Sequence, residues 1–322
     1  MGLALVISGC ERKNSETTSA VPAPASKIAE TPKPAVCGVA PSGDLIAERI
    51  VSANPASSEP GLYEGPVWIG DALYFSDFTF GPGFPSRIQK LDSAGVMTTA
   101  IADSGSNGLA VDSQGNIIAA THKYKALSRY KLVSGERAPF VEQYKGNVFN
   151  SPNDVAVAKD GTVYFTDPAF QKSAAPGGQE KTGIYRASID GVVTLLDDSI
   201  KNPNGITLSP SGDVLYANGG EEQGILRAYP IVDGEPQAGK DLVTGLAVPD
   251  GMVVDCHGNL YVTEHTAQRV RVFTPAGEQI ATIKVDANVT NAAFGGASGT
   301  TLFLTGAGSI WKLELAVSGA AF

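Results

Sequence analysis

Cysteine, histidine, methionine and tryptophan are all scarce in this 322-residue chain, which has three, three, three and two of them. Three cysteines cannot build a disulfide-dense scaffold. Three scattered histidines leave no Cys/His cluster of the kind that selects zinc. Basic residues are outnumbered, 24 Lys and Arg against 33 Asp and Glu, for a net charge of −9 with no basic cluster. That removes the electrostatic footprint a nucleic-acid binder needs. No apolar run approaches the ~20 residues that span a bilayer. Stretches without glycine or proline are short, because 37 glycines and 20 prolines interrupt the chain. Short strands and turns are therefore expected rather than helices.

The first residues, Met1-Gly2-Leu3-Ala4-Leu5-Val6-Ile7-Ser8-Gly9-Cys10, form an apolar run ending in small residues before a cysteine. This resembles a bacterial lipoprotein signal without its basic n-region, with Cys10 as the lipid carrier. Residues 11–40 are rich in Ser, Thr, Ala, Pro and Lys, a composition that buries too little apolar surface to fold and reads as a tether. The expected organisation is a signal over 1–10, a tether over 11–40 and one folded domain over 41–322. Membrane contact is expected only through a lipid on Cys10, with the domain facing the periplasm of a bacterial envelope and working as a monomer. Cys37 and Cys256 remain, either paired in an oxidising compartment or unrelated.

What the chain does have is one short phrase used six times. An Asn, Asp or Glu, often followed by Gly, opens an apolar run: Glu64-Gly65-Pro66-Val67-Trp68, Asn107-Gly108-Leu109, Asn153-Asp154-Val155, Asn204-Gly205-Ile206, Asp250-Gly251-Met252 and Asn291-Ala292-Ala293. A second apolar run follows each, marked by residues 74, 118, 164, 216, 261 and 303, at steps of 44, 46, 52, 45 and 42. That period is the length of a four-stranded propeller blade. The third runs alternate strictly, as in Arg269-Val270-Arg271-Val272-Phe273, the mark of strands. The sixth copy lacks a fourth strand after Leu315, and Ile46–Ser52 has no blade of its own. The expected fold is an all-β, six-bladed propeller whose last blade is completed by this N-terminal strand, which also protects an open edge.

In such a ring the opening residue of each phrase meets its equivalents on the axis. Glu64, Asn153, Asn204 and Asp250 are then the candidate metal ligands, two carboxylates and two amides. An all-oxygen set of this kind suits Ca²⁺, with Mg²⁺, Mn²⁺ or Zn²⁺ as other divalent candidates. Asn107 and Asn291 occupy equivalent positions. Asp154 either assists the chemistry or holds Asn153 in place. Loops after each second strand rim the same mouth, so His122, Tyr124, Asp167 and Phe170, with Asn107, are the candidate substrate contacts. Glu264 and His265 stand on the fifth rim loop, and residues 174–178 of the longest loop could act as a lid.

These phrases, together with Val163-Tyr164-Phe165-Thr166-Asp167-Pro168, resemble the SMP-30/gluconolactonase family of six-bladed propellers over roughly residues 46–315. The resemblance implies a catalytic divalent metal on Glu64, Asn153, Asn204 and Asp250. It also implies Asp250 as base or nucleophile with Asn153 beside it, and a small lactone or related ester as substrate. Phosphotriester hydrolysis on the same fold, or a non-catalytic lipid-tethered binding platform, are the other functions it admits. Bacterial lactonases of the family often carry Glu-His-Gly-Asn-Arg after the second strand of blade two. This chain reads Thr121-His122-Lys123-Tyr124-Lys125 there; the histidine is shared and the rest differs.

Overall fold

The computed structural model describes residues 1–2, 37–51 and 61–321. The chain separates into two units, Met1–Pro34 and Ala35–Phe322. Cys10 and residues 11–36 of the expected tether lie outside the described residues.

The second unit consists of six small sheets, antiparallel but for one edge strand, each running outward in chain order from its innermost strand except where N-terminal strands add to the last two. The innermost strands are Gly61–Ile69, Ser106–Val111, Val155–Val157, Ile206–Leu208, Pro249–Val254 and Val289–Gly295. This is a six-bladed β-propeller, as the repeat implies. Among the described residues the only helices are single 3₁₀ turns, Lys172–Ala174 and Glu221–Gln223.

Strand alternation explains the packing. Both faces of each blade are buried, so the core is six apolar layers, one between each pair of neighbouring blades. Ile118, Leu127, Val155, Phe165 and Tyr185 form the layer between blades two and three. Tyr261, Val272, Val289, Leu304 and Trp311 form the one between blades five and six. Each fully buried large side chain contributes about 1.5–3 kcal/mol.

Closure follows the expected route with one addition. Glu48–Val51 pairs antiparallel with Ile310–Glu314, Arg49 opposite Trp311, and completes blade six. Just upstream, Gly43–Ile46 pairs parallel with Gln279–Lys284 and gives blade five a fifth strand. The buried Ala47 is the crossing point, its N–H donating to the Lys284 carbonyl (3.1 Å). One strap thus covers the edges of two blades. It is fixed at its start by a disulfide between Cys37 and Cys256, residues separated by 219 positions. Cys256 lies in the turn between the first two strands of blade five, on the face opposite the expected site.

Candidate metal centre and active site

The opening residues of the repeat arrive at the axis because neighbouring inner strands touch there. The Gly108 N–H of blade two donates to the Asn153 carbonyl of blade three (2.6 Å). A Cβ on Gly108 would stand 2.5 Å from that oxygen, so no larger residue fits. In blade three the corresponding position is Asp154. Its carboxylate makes the inter-blade contact instead, Oδ2 accepting from the Ile206 N–H of blade four (3.4 Å) and Oδ1 from the Val155 N–H (3.0 Å).

Polar residues of the second strands latch the ring together. Ser76 Oγ donates to the Asn107 carbonyl (2.6 Å) and Thr166 Oγ1 to the Asn204 carbonyl (2.6 Å). Asn218 Nδ2 donates to the Asp250 carbonyl (2.7 Å), and Thr263 Oγ1 to the Thr290 carbonyl (2.8 Å). Thr290 Oγ1 closes the circle on the Tyr63 carbonyl (2.5 Å). Each bond holds the backbone of an axial residue or of its chain neighbour. The sequence carried a signal for the first four of these, a Ser, Thr or Asn two residues after the aromatic marker of its blade.

Glu64, Asp154, Asn204, Asp250 and Asn291 form one buried group at the axis. Asn291 Nδ2 donates weakly to Glu64 Oε2 (3.4 Å) and to Asp154 Oδ2 (3.5 Å). The Glu64 carboxyl is held well above the usual range by burial and then by the charges of Asp250 and Asp154, against the Gly65 N–H and Asn291. Burial raises Asp154 to about 7. It also raises Asp250, opposed by His265, Asn204 and the Gly251 N–H. His265 Nδ1 stands 3.4 Å from Asp250 Oδ2 and 3.1 Å from the Val289 carbonyl. Burial draws the imidazole down, but Asp250 and Val289 outweigh it and leave it raised. Asp154 therefore belongs to the axial group and does not serve to hold Asn153. Asn153 is tied through its backbone, its N–H donating to the Thr166 carbonyl (2.9 Å).

The donor set suits a hard cation. Three buried carboxyls share the axial region, and among the described residues His265 is the basic side chain that contacts one of them, Asp250. The side-chain carbonyl oxygens of Asn204 and Asn107 are buried without a hydrogen-bond partner, a costly state unless something binds them. The three carboxylates do not all close to within 4.8 Å of one another. A cation held there would draw on amide oxygens and waters as well, a mixed set that suits Ca²⁺. The one Cys/His/Asp/Glu trio among the described residues that does close to this distance is Cys37, Cys256 and His257, and its sulfurs are spent in the disulfide. Below the axial group a cavity of about 270 Å³ runs along the axis, walled by Val67, Leu109, Val155 and Met252, with Asp154 and Asn291 among its lining.

The rim differs from its expected form. Asp167 is not turned to the mouth. One oxygen accepts from the N–H (2.9 Å) and Nδ2 (3.1 Å) of Asn150 and the other from the Ser151 N–H (2.8 Å), so it braces the approach to Asn153. Burial raises it to about 7. Glu264 plays the same part in blade five, accepting from the Ala247 N–H (2.7 Å) upstream of Asp250. His122 is fully buried between Phe78 and Phe84, its Nε2 on the Phe84 carbonyl (2.8 Å) and its Nδ1 without a partner. Burial lowers it to about 4, so it is neutral. Tyr124 is half-buried under Arg137, whose guanidinium lies 3.6 Å from the ring centre. Phe170 is exposed.

The SMP-30/Gluconolactonase/LRE-like region, as a family model, matches residues 62–308. The chain belongs to this family. Among its relatives, a gluconolactonase of Zymomonas mobilis is 29% identical over 302 residues, covering 85% of this chain and 84% of that protein. The pentonolactonase XacC of Haloferax volcanii is 26% identical over 258 residues, 77% of this chain and 82% of that one. The solved structure of a gluconolactonase from Xanthomonas campestris superposes with a TM-score of 0.72 at 27% identity, over 87% of this chain and all of that one. A calcium-binding regucalcin from Agrobacterium tumefaciens shares the fold at 20% identity and a TM-score of 0.68. The family's propeller is the fold described above, and the axial phrases of blades one to six fall within the matched span.

Proposed function

We propose that this chain is a divalent-cation-dependent lactonase, opening a cyclic ester at the axial end of the propeller, with Ca²⁺ as the fitting ion. The observation that carries this reading is the buried meeting of Glu64, Asp154 and Asp250 beside the unpartnered amide oxygen of Asn204. The lactone chemistry is supported by relatives named gluconolactonase and pentonolactonase that align over most of their length.

Glu64, Asn204 and Asp250 would hold the ion, with Asn153 next in line. The bound cation would supply Lewis acidity toward the ester carbonyl and its developing oxyanion. Asp250 would take a proton from the attacking water or attack directly. His265 would fix its orientation, with Nδ1 facing Asp250 and the Val289 carbonyl and Nε2 3.3 Å from Asn288 Nδ2. Burial raises the Asp154 carboxyl beside them, and a bound cation would draw it back toward its charged form.

The test is a panel of lactones assayed before and after chelation, with Ca²⁺ restored. Turnover lost with the chelator, regained with Ca²⁺ and absent in Asp250→Asn supports the reading. Turnover indifferent to chelation, or no lactone opened at all, refutes it.

A further inference from the structure

Five lysines on the loops of the mouth are held by partners within the protein. Lys123 pairs with Asp103, Lys181 with Asp198 and Lys201 with Glu221. Lys125 is buried, its Nζ donating to the carbonyls of Asn150 (2.7 Å) and Lys172 (2.8 Å). Lys172 in turn donates to the Gln179 carbonyl (2.9 Å). None of these five cations waits for a carboxylate or phosphate on a substrate. His122 on the rim loop of blade two is covered by Phe78 and Phe84.

Two aromatic side chains remain open on the same side. The rim loop of blade one turns tightly, the Phe84 N–H donating to the Gly81 carbonyl (2.9 Å). Its tip meets the rim loop of blade three, where a Cβ on Gly83 would lie 3.9 Å from the Ala174 carbonyl. These touching loops leave Phe80 57% and Phe170 42% exposed. Phe80 packs edge-on against Phe78, ring centres 5.9 Å apart. Phenylalanines left open on two loops that meet over one sector of the mouth offer apolar surface to a ligand.

Resting on the lactonase reading, we infer that the substrate is a lactone with an uncharged hydrocarbon or aryl substituent, which lies along Phe80 and Phe170 while the ring meets the axial group. This departs from a polyol lactone, to whose hydroxyls two phenyl rings offer no hydrogen bond.

The experiment measures kcat/KM with Ca²⁺ for γ-valerolactone, γ-octalactone and glucono-δ-lactone, in the native protein and in F80S and F170S. A buried methylene contributes about 0.8 kcal/mol, or about 4-fold. Partial burial of three extra methylenes gives an expected preference of about 10-fold or more for γ-octalactone over γ-valerolactone. Both variants should shrink that ratio toward one. A native ratio near one, a ratio untouched by the substitutions, or glucono-δ-lactone as the best of the three overturns the inference. Saturation-transfer NMR on γ-octalactone reads the same contact without turnover. Its terminal methyl should receive saturation in the native protein and lose it in F80S and F170S. No turnover with that contact retained refutes the lactonase reading alone; turnover without that contact refutes the apolar rim alone.

Discussion

Gly251 and Asn291 compete for one space: a Cβ on Gly251 would fall 1.9 Å from Asn291 Cγ. The glycine of blade five is thus a condition for the amide of blade six to reach Glu64 and Asp154. Gly251→Ala should displace Asn291, cost about 1–3 kcal/mol of stability by overpacking and weaken cation binding. Adding Asn291→Ala removes the obstructing atoms, so the double variant should be more stable than the sum of the single changes predicts. Denaturant melts of the four proteins measure this coupling.

The raised carboxyls make stability depend on pH in the absence of a cation. Asp154 and Asp167 stand near 7 in the folded protein against 3.8 for an ordinary Asp. The folded state therefore holds protons that the unfolded chain has released. Their contribution is complete below about 4 and is lost as pH rises to 7, at up to ~1.4 kcal/mol per pH unit for each group. The chelated protein should melt at lower temperature at pH 7 than at pH 5. Asp154→Asn should flatten part of that slope. Added Ca²⁺ should stabilise most at the higher pH, where the carboxylates bind without releasing protons.

His265 orients Asp250 from 3.4 Å. Groups of this kind typically contribute 10–100-fold to affinity or activity. His265→Gln should lower kcat by roughly that range, with a smaller change in KM, and should move the pH–rate profile. An unchanged profile with a uniformly unstable protein would make His265 a packing residue only.

The disulfide fixes the strap that closes two blades. Cys37 and Cys256 enclose a loop of 219 positions, and restraining so long a loop stabilises by about 3–5 kcal/mol. Cys37→Ser with Cys256→Ser should lower the unfolding free energy by that amount, read as a lower denaturant midpoint at unchanged slope. Reduction of the native protein should reproduce the loss, and activity at low temperature should survive.

The blades were legible because period and alternation recur six times, and the closing strand because blade six visibly lacked one. The parallel strand Gly43–Ile46 left no mark, since four residues pairing at an edge, with three exposed, carry no periodicity. The axial residues were legible as a ring of oxygen-bearing side chains. A place at the end of a second strand does not imply exposure: Asp167 and His122, expected at the rim, are fully buried. Asn150, Ser151 and Phe84 fold back over them and use their polar atoms inward. The latches Ser76, Thr166, Asn218 and Thr263 escaped notice because hydroxyl and amide side chains in strands are ordinary, and only the neighbouring blade shows what they bind.

The most direct test of the ring-built cation site is anomalous scattering from a crystal soaked in Mn²⁺ or Ca²⁺. One axial peak is predicted, within about 2.3–2.6 Å of oxygens from Glu64, Asn204 and Asp250, and missing in Asp250→Ala. A protein that opens lactones yet shows no peak at that point, or a peak coordinated elsewhere, would contradict the account.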